Sequence, residues 1–179
     1  MEKTNSNIPT SEELKAYIDE SVISVTGTSD QSASVLMVDD STIGTLGNFS
    51  ASIGKAKSKK TFNVSAIAAA ALINGTVLHY RACFPEGKRK ILYVDTEQGK
   101  NHCQIVLNRI LKLAGLPKDC DADNLTMLAL RKYSPEVRLA ITEEAIGMIP
   151  DLGLVIIDGI RDFIHDINSP GESTVVISK

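Results

Sequence analysis

The residues best placed to do chemistry lie in one short run: Gly54, Lys55, Ala56, Lys57, Ser58, Lys59, Lys60 and Thr61. The run has the length and most of the identities of the phosphate-binding pattern GxxxxGK[ST]. The flanking residues predict a strand before it, near Phe49 to Ile53, and a helix after it, the setting that pattern requires. There, backbone N–H groups of the loop and of the helix N-terminus surround an anionic phosphate. Lys60 then reaches the β- and γ-phosphates, and the Thr61 hydroxyl ligates magnesium. Lys59 stands where the pattern has its second glycine. If that position needs φ > 0, lysine costs about 1 kcal/mol relative to glycine. Four lysines between residues 55 and 60 are also what a solvated surface turn contains, so the loop alone leaves both readings open.

Two later segments supply acidic partners. Tyr93-Val94-Asp95-Thr96-Glu97-Gln98 carries carboxylates off the end of an apolar strand, near the crevice where open α/β sheets bind ligands. Glu97 there can accept the proton of an attacking water. Taken alone, it also reads as a helix cap or a solvated loop residue. Leu154-Val155-Ile156-Ile157-Asp158 is four apolar residues and then an aspartate, the pattern that holds magnesium through water. Loop, strand plus Glu, then strand plus Asp is the order that nucleotide hydrolysis needs.

The elements that must position these groups follow from hydrophobic patterning. Ser11 to Ile18 predicts one or two helical turns, and Thr26 to Ser34 reads as a flexible linker. Val35 to Val38 and Thr42 to Leu46 suggest a small hairpin. Thr61 to Asn74 is apolar almost all round, as in a helix buried on most sides, with Gly75 as its stop. Ile91 to Asp95, Leu125 to Leu130 and Leu154 to Asp158 predict strands. Between them, residues 99–115 carry Val106, Ile110, Leu113 and Ala114 at helical spacing. Ser134-Pro135-Glu136 opens another helix with a cap and a proline at its first position. Continuously apolar strands separated by helices imply a parallel sheet covered on both faces. The expected fold is therefore α/β, three-layered and mostly parallel, with residues 1–34 as arm and linker and 35–179 as the core.

Composition narrows the function classes. Of 179 residues, 43% are apolar and 23% charged, enough for a real core. A formal net charge of −3 argues against a globally basic nucleic-acid coat. At 4% aromatics with no Trp, an aromatic base-stacking platform is not expected. No apolar run reaches the length of a bilayer span, and Met1 to Thr10 lacks the apolar region of a secretory signal. Cytoplasmic location is expected, with Cys83, Cys103 and Cys120 as reduced thiols and no zinc-like spacing among Cys and His. The sequons at Asn48, Asn63, Asn74 and Asn124 are then chance matches.

From about Gly44 onward the chain resembles the RecA-like P-loop ATPases, specifically the AAA_25 group of RepA-type, DnaB-like helicase ATPases. The resemblance is carried by Thr45-Leu46-Gly47-Asn48-Phe49-Ser50 leading into Gly54 to Thr61, by Tyr93-Val94-Asp95-Thr96-Glu97, and by Val155-Ile156-Ile157-Asp158-Gly159-Ile160-Arg161-Asp162. It implies a RecA-like core, magnesium-ATP as ligand, a homo-oligomer with ATP at subunit boundaries, and coupling to DNA or RNA. By that resemblance Lys60 is the Walker A lysine, Thr61 a magnesium ligand, Glu97 the catalytic carboxylate and Asp158 the Walker B aspartate. Plasmids and other mobile elements often carry such proteins, which suggests a bacterial replication or mobilisation role. Relative to that group, the core is expected to be incomplete at its C-terminal end. Further strands, a polar sensor and an arginine finger have no counterpart after Asp158. A finger alone supplies roughly 10³–10⁵ in rate.

Asp166 to Ser173, without Lys or Arg, reads as a plain turn before a final helix, and Arg161 with Asp162 as a surface salt bridge. Besides an ATPase motor module, two readings stand: a non-hydrolysing nucleotide-binding or assembly module, and an α/β scaffold whose basic loop binds nucleic acid directly.

Overall fold

The computed structural model describes residues 9–24, 32–55, 58–118 and 122–165, and the chain divides into two compact units, 1–31 and 32–179. In the first, α1 (Ser11–Ser21) opens on a reciprocal cap: Thr10 Oγ1 accepts from the Glu13 amide at 3.4 Å while the Glu13 carboxylate accepts from the Thr10 amide at 2.7 Å. Two orphan donors are thereby satisfied. The linker residues 26–31, Cys120, and the turn and helix expected from Asp166 onward lie outside the described residues.

The second unit is α/β and contains two sheets. β1 (Ser34–Val38) and β2 (Ser41–Thr45) form the expected hairpin, turning at Asp39 with φ 48°. They are joined by a pair the sequence does not announce, β3 (Thr76–Val77) and β4 (Tyr80–Ala82), in the antiparallel order β2-β1-β4-β3. The expectation of a mostly parallel sheet is corrected accordingly. Strands this short show no period of their own; β4 forms by pairing with β1, placing Leu36 opposite Ala82, and β3 forms by pairing with β4.

The parallel sheet has three strands in the order β6-β5-β7: β5 (Lys90–Asp95), β6 (Leu125–Ala129) and β7 (Leu152–Asp158). Alternate side chains leave opposite faces of a strand. Ile91, Tyr93 and Ile156 therefore pack with Ala68 to Ala71 of α2 (Lys60–Ile73) and with Val106 and Ile110 of α3 (Lys100–Leu113). Leu92, Val94 and Val155 pack on the other face with Leu139, Ile141 and Ala145 of α4 (Pro135–Met148). Helices on both faces of a parallel sheet are what the continuously apolar strands predict. α2 touches β3 and β4 as well as β5, β7 and α3, and that central position is why it can be apolar all round. It ends one residue before the expected stop, with Asn74 left-handed at φ 46°.

The strand expected near Phe49 to Ile53 does not form. Residues 48–55 have no regular structure, and Phe49 and Ile53 are 89% and 93% exposed. Two large apolar side chains around Ser50, Ala51 and Ser52 bury too little to offset the ordering cost, and no described strand pairs with them. Among the described residues no helix is long and apolar enough to cross a membrane.

Candidate functional site

Parallel register sets the acidic side of the site. Asp95 and Asp158 are paired neighbours at the carboxyl ends of β5 and β7, in step with Tyr93 and Ile156 on the face that α2 covers. The Tyr93 hydroxyl donates to Asp158 Oδ2 at 3.1 Å. Tyr93 is fully buried, so burial, and next the Asp158 charge, push its phenol far up and keep it a donor. Asp95 is also fully buried; its Oδ1 accepts the amides of Glu97 at 3.0 Å and Gln98 at 2.8 Å, tying down the loop after β5. Among the described residues its Oδ2 has no hydrogen-bond partner. Burial raises the Asp95 carboxyl, the Asp158 charge adds to the rise, and the two amides oppose it. The adjacent Cys103 thiol is pushed up to about 11, by burial first and then by Asp95, so it stays protonated and unreactive.

Glu97 follows as an exposed residue. Burial raises its carboxyl, Asp158, Asp162 and Asp95 raise it further, and the Lys60 ammonium lowers it. That last influence ties the lysine loop to the carboxylates electrostatically. Thr96 points to the opposite face, where its hydroxyl donates among the Gly159 carbonyl at 2.7 Å, Asp162 Oδ2 at 3.1 Å and the Asp158 carbonyl at 3.2 Å. Gly159 is left-handed at φ 102°, and a Cβ there would lie 2.2 Å from Thr96 Oγ1.

On the loop itself, Gly54 and Lys55 are exposed, Ser58 donates its amide to the Lys55 carbonyl at 3.2 Å, and Ala56 and Lys57 lie outside the described residues. A Cβ on Gly54 would fall 2.6 Å from Ser58 Oγ, so a side chain there would make the exposed Ser58 hydroxyl turn away. Lys60 and Thr61 open α2, and the Lys60 ammonium donates to the Gly54 carbonyl at 2.8 Å. Lys59 caps the helix at φ 60°, ψ 26°. The position therefore does demand the left-handed conformation, and lysine meets it under strain. Lys59→Gly is expected to stabilise the fold by about 1 kcal/mol, read as a higher urea midpoint with an unchanged slope.

The structure thus brings Lys60 within electrostatic reach of Glu97, and Glu97 within reach of Asp158, and puts Thr61 in the turn that carries Lys60. Among the described residues no three Cys, His, Asp or Glu side chains converge as a metal cage. Thr61, in the first turn of α2, and Asp158, at the end of β7, are oxygen donors of the chemical type magnesium takes, an ion that keeps most of its waters and needs only one or two protein ligands besides phosphate oxygens. The salt bridge expected between Arg161 and Asp162 is not made: Asp162 bonds to Thr96 instead, and the ion pairs among the described residues are His79–Asp39 and His165–Glu136. Sequence reasoning gave Tyr93 no role of its own, assigned Asp162 to Arg161, and passed over Arg131 and Arg138. A tyrosine in the middle of an aliphatic strand was the available signal, since a buried phenol needs a partner.

Comparison with family models, curated proteins and solved structures gives no match.

Proposed function

We propose that this chain binds magnesium-ATP and hydrolyses it, as the motor module of a helicase-like or recombinase-like DNA-acting protein of a bacterial plasmid or mobile element. In this reading the parallel sheet belongs to a RecA-like P-loop core that works as a cytoplasmic homo-oligomer. The observation that supports it most is the charge arrangement: a lysine opening α2 acts on a carboxylate at the end of β5, beside the aspartate that ends β7 on the same sheet face. Amides of the loop and of the first turn of α2 supply donors for phosphate oxygens. Lys60 exchanges its bond to the Gly54 carbonyl for one to the phosphates. Thr61 and, through water, Asp158 hold magnesium, which neutralises phosphate charge when bound. Tyr93 keeps Asp158 aimed, and Glu97 takes a proton from the attacking water.

Lys60→Ala tests the binding half of the reading. Calorimetric titration is expected to show magnesium-ATP affinity falling about tenfold or more, with an unaltered circular dichroism spectrum. Equal affinity in the two proteins would sink the proposal.

A second reading, binding without turnover, is favoured by the strained Lys59 and by the irregular, exposed approach to the loop at Phe49 to Ile53. The two readings part at Glu97, whose replacement changes turnover in the first and nothing measurable in the second.

A further inference from the structure

On the face of the parallel sheet that α4 covers, the segments after β5, β6 and β7 border an open cleft of about 570 Å³. Arg131 follows β6, Arg138 comes from α4, and Arg161 from the turn after β7; Thr96, Glu97 and Asp162 line the cleft with them. Arg138 donates to the carbonyls of Asp162 at 2.7 Å, Arg131 at 2.8 Å and Leu130 at 3.2 Å. These bonds fix the guanidinium fork without neutralising it, and two of its five N–H groups remain. Arg131 and Arg161 make no ion pair among the described residues. One guanidinium held in place and two exposed ones, with the His165 imidazole at the same rim, therefore face two carboxylates in one concavity, an arrangement that draws in an anion.

The carboxylates decide which anion. A fully ionised oxyanion, such as sulfate or a phosphodiester, presents only acceptors to Glu97 and Asp162 and is repelled by them. An oxyanion that still carries a proton can accept from the arginines and donate to a carboxylate. We propose that this cleft is a binding site for orthophosphate in its protonated, hydrogenphosphate form. The site stands independently of the nucleotide reading, because Lys60 and its loop belong to the α2 side of the sheet. Should that reading hold, orthophosphate is the product of the hydrolysis, and Glu97 borders both places.

The test is calorimetric titration of the purified chain with orthophosphate and, separately, with sulfate, at neutral pH and constant ionic strength. Orthophosphate is expected to bind about tenfold or more tightly than sulfate. The double variant Arg131→Ala, Arg161→Ala, both exposed positions, is expected to lose about tenfold or more in orthophosphate affinity with its thermal unfolding unchanged. Asp162→Asn narrows the preference over sulfate, and Lys60→Ala leaves orthophosphate affinity intact even if ATP binding is lost. Equal binding of the two anions would overturn the assignment. So would orthophosphate binding that survives in the double arginine variant, or that disappears with Lys60→Ala. Competition by a single-stranded oligonucleotide at similar phosphate concentration would identify a phosphodiester site instead, and the proposal would fall.

Discussion

Glu97→Gln is expected to retain magnesium-ATP while turnover drops by roughly 10²–10⁴-fold, the usual worth of a positioned general base. Glutamine keeps the shape and the hydrogen-bonding oxygen but cannot take a proton at neutral pH, so binding and chemistry separate. The same carboxyl sets the acid limb of the rate. Its affinity for protons is raised by burial and by Asp158, Asp162 and Asp95, against Lys60. The ionised base is therefore lost as pH falls through a value above the ordinary glutamate range, and turnover falls with it. Asp162→Asn removes one of the like charges, which moves that limb to lower pH. Single-turnover rates across pH, with ATP saturating, measure both effects. A Glu97→Gln protein as fast as the parent would rule out Glu97 as the base.

Gly159→Ala carries the largest expected effect on stability. Gly159 sits at φ 102°, and its added methyl would lie 2.2 Å from Thr96 Oγ1 and 2.7 Å from Glu97 Cγ. Strain for a side chain in that region is about 1–3 kcal/mol, and overpacking adds roughly 1–3 kcal/mol. A loss of about 2–6 kcal/mol follows from the two together, a large share of the stability of an ordinary domain. Urea unfolding monitored by circular dichroism reads it directly. The methyl also pushes on Thr96 and Glu97, so any protein that still folds should be impaired in turnover beyond its loss of stability. A neutral Gly159→Ala would mean that the packing of Gly159 against Thr96 and Glu97 is looser than the distances require.

These two positions also mark how far the sequence could be read. β5, β7, α3 and α4 were legible because each shows a local signal: four or five consecutive apolar residues in a strand, apolar residues at helical spacing in α3, or a cap and proline opening α4. The carboxylates at the strand ends were legible for the same reason, since a polar residue closing an apolar run marks where the sheet meets solvent. Gly54, Lys60, Thr61, Glu97 and Asp158 were all named from local spacing. Phe49 to Ile53 misled because strand propensity is satisfied only when another strand supplies hydrogen bonds, and a single run contains no information about that partner. β3 and β4 failed in the opposite direction: too short to show a period, they exist because β4 pairs with β1 and β3 in turn with β4.

By itself, then, the chain's order of residues determined the α/β character, the parallel strands with helices on both faces, and the set of charged residues near the strand ends, all properties written within windows of a few residues. Only the tertiary structure decided that Tyr93 reaches Asp158, that Lys59 must be left-handed, that Asp162 binds Thr96 rather than Arg161, and that three arginines from separate segments share a cleft. Each of those depends on strand register and on which face a side chain leaves, quantities set by packing between residues distant in the chain.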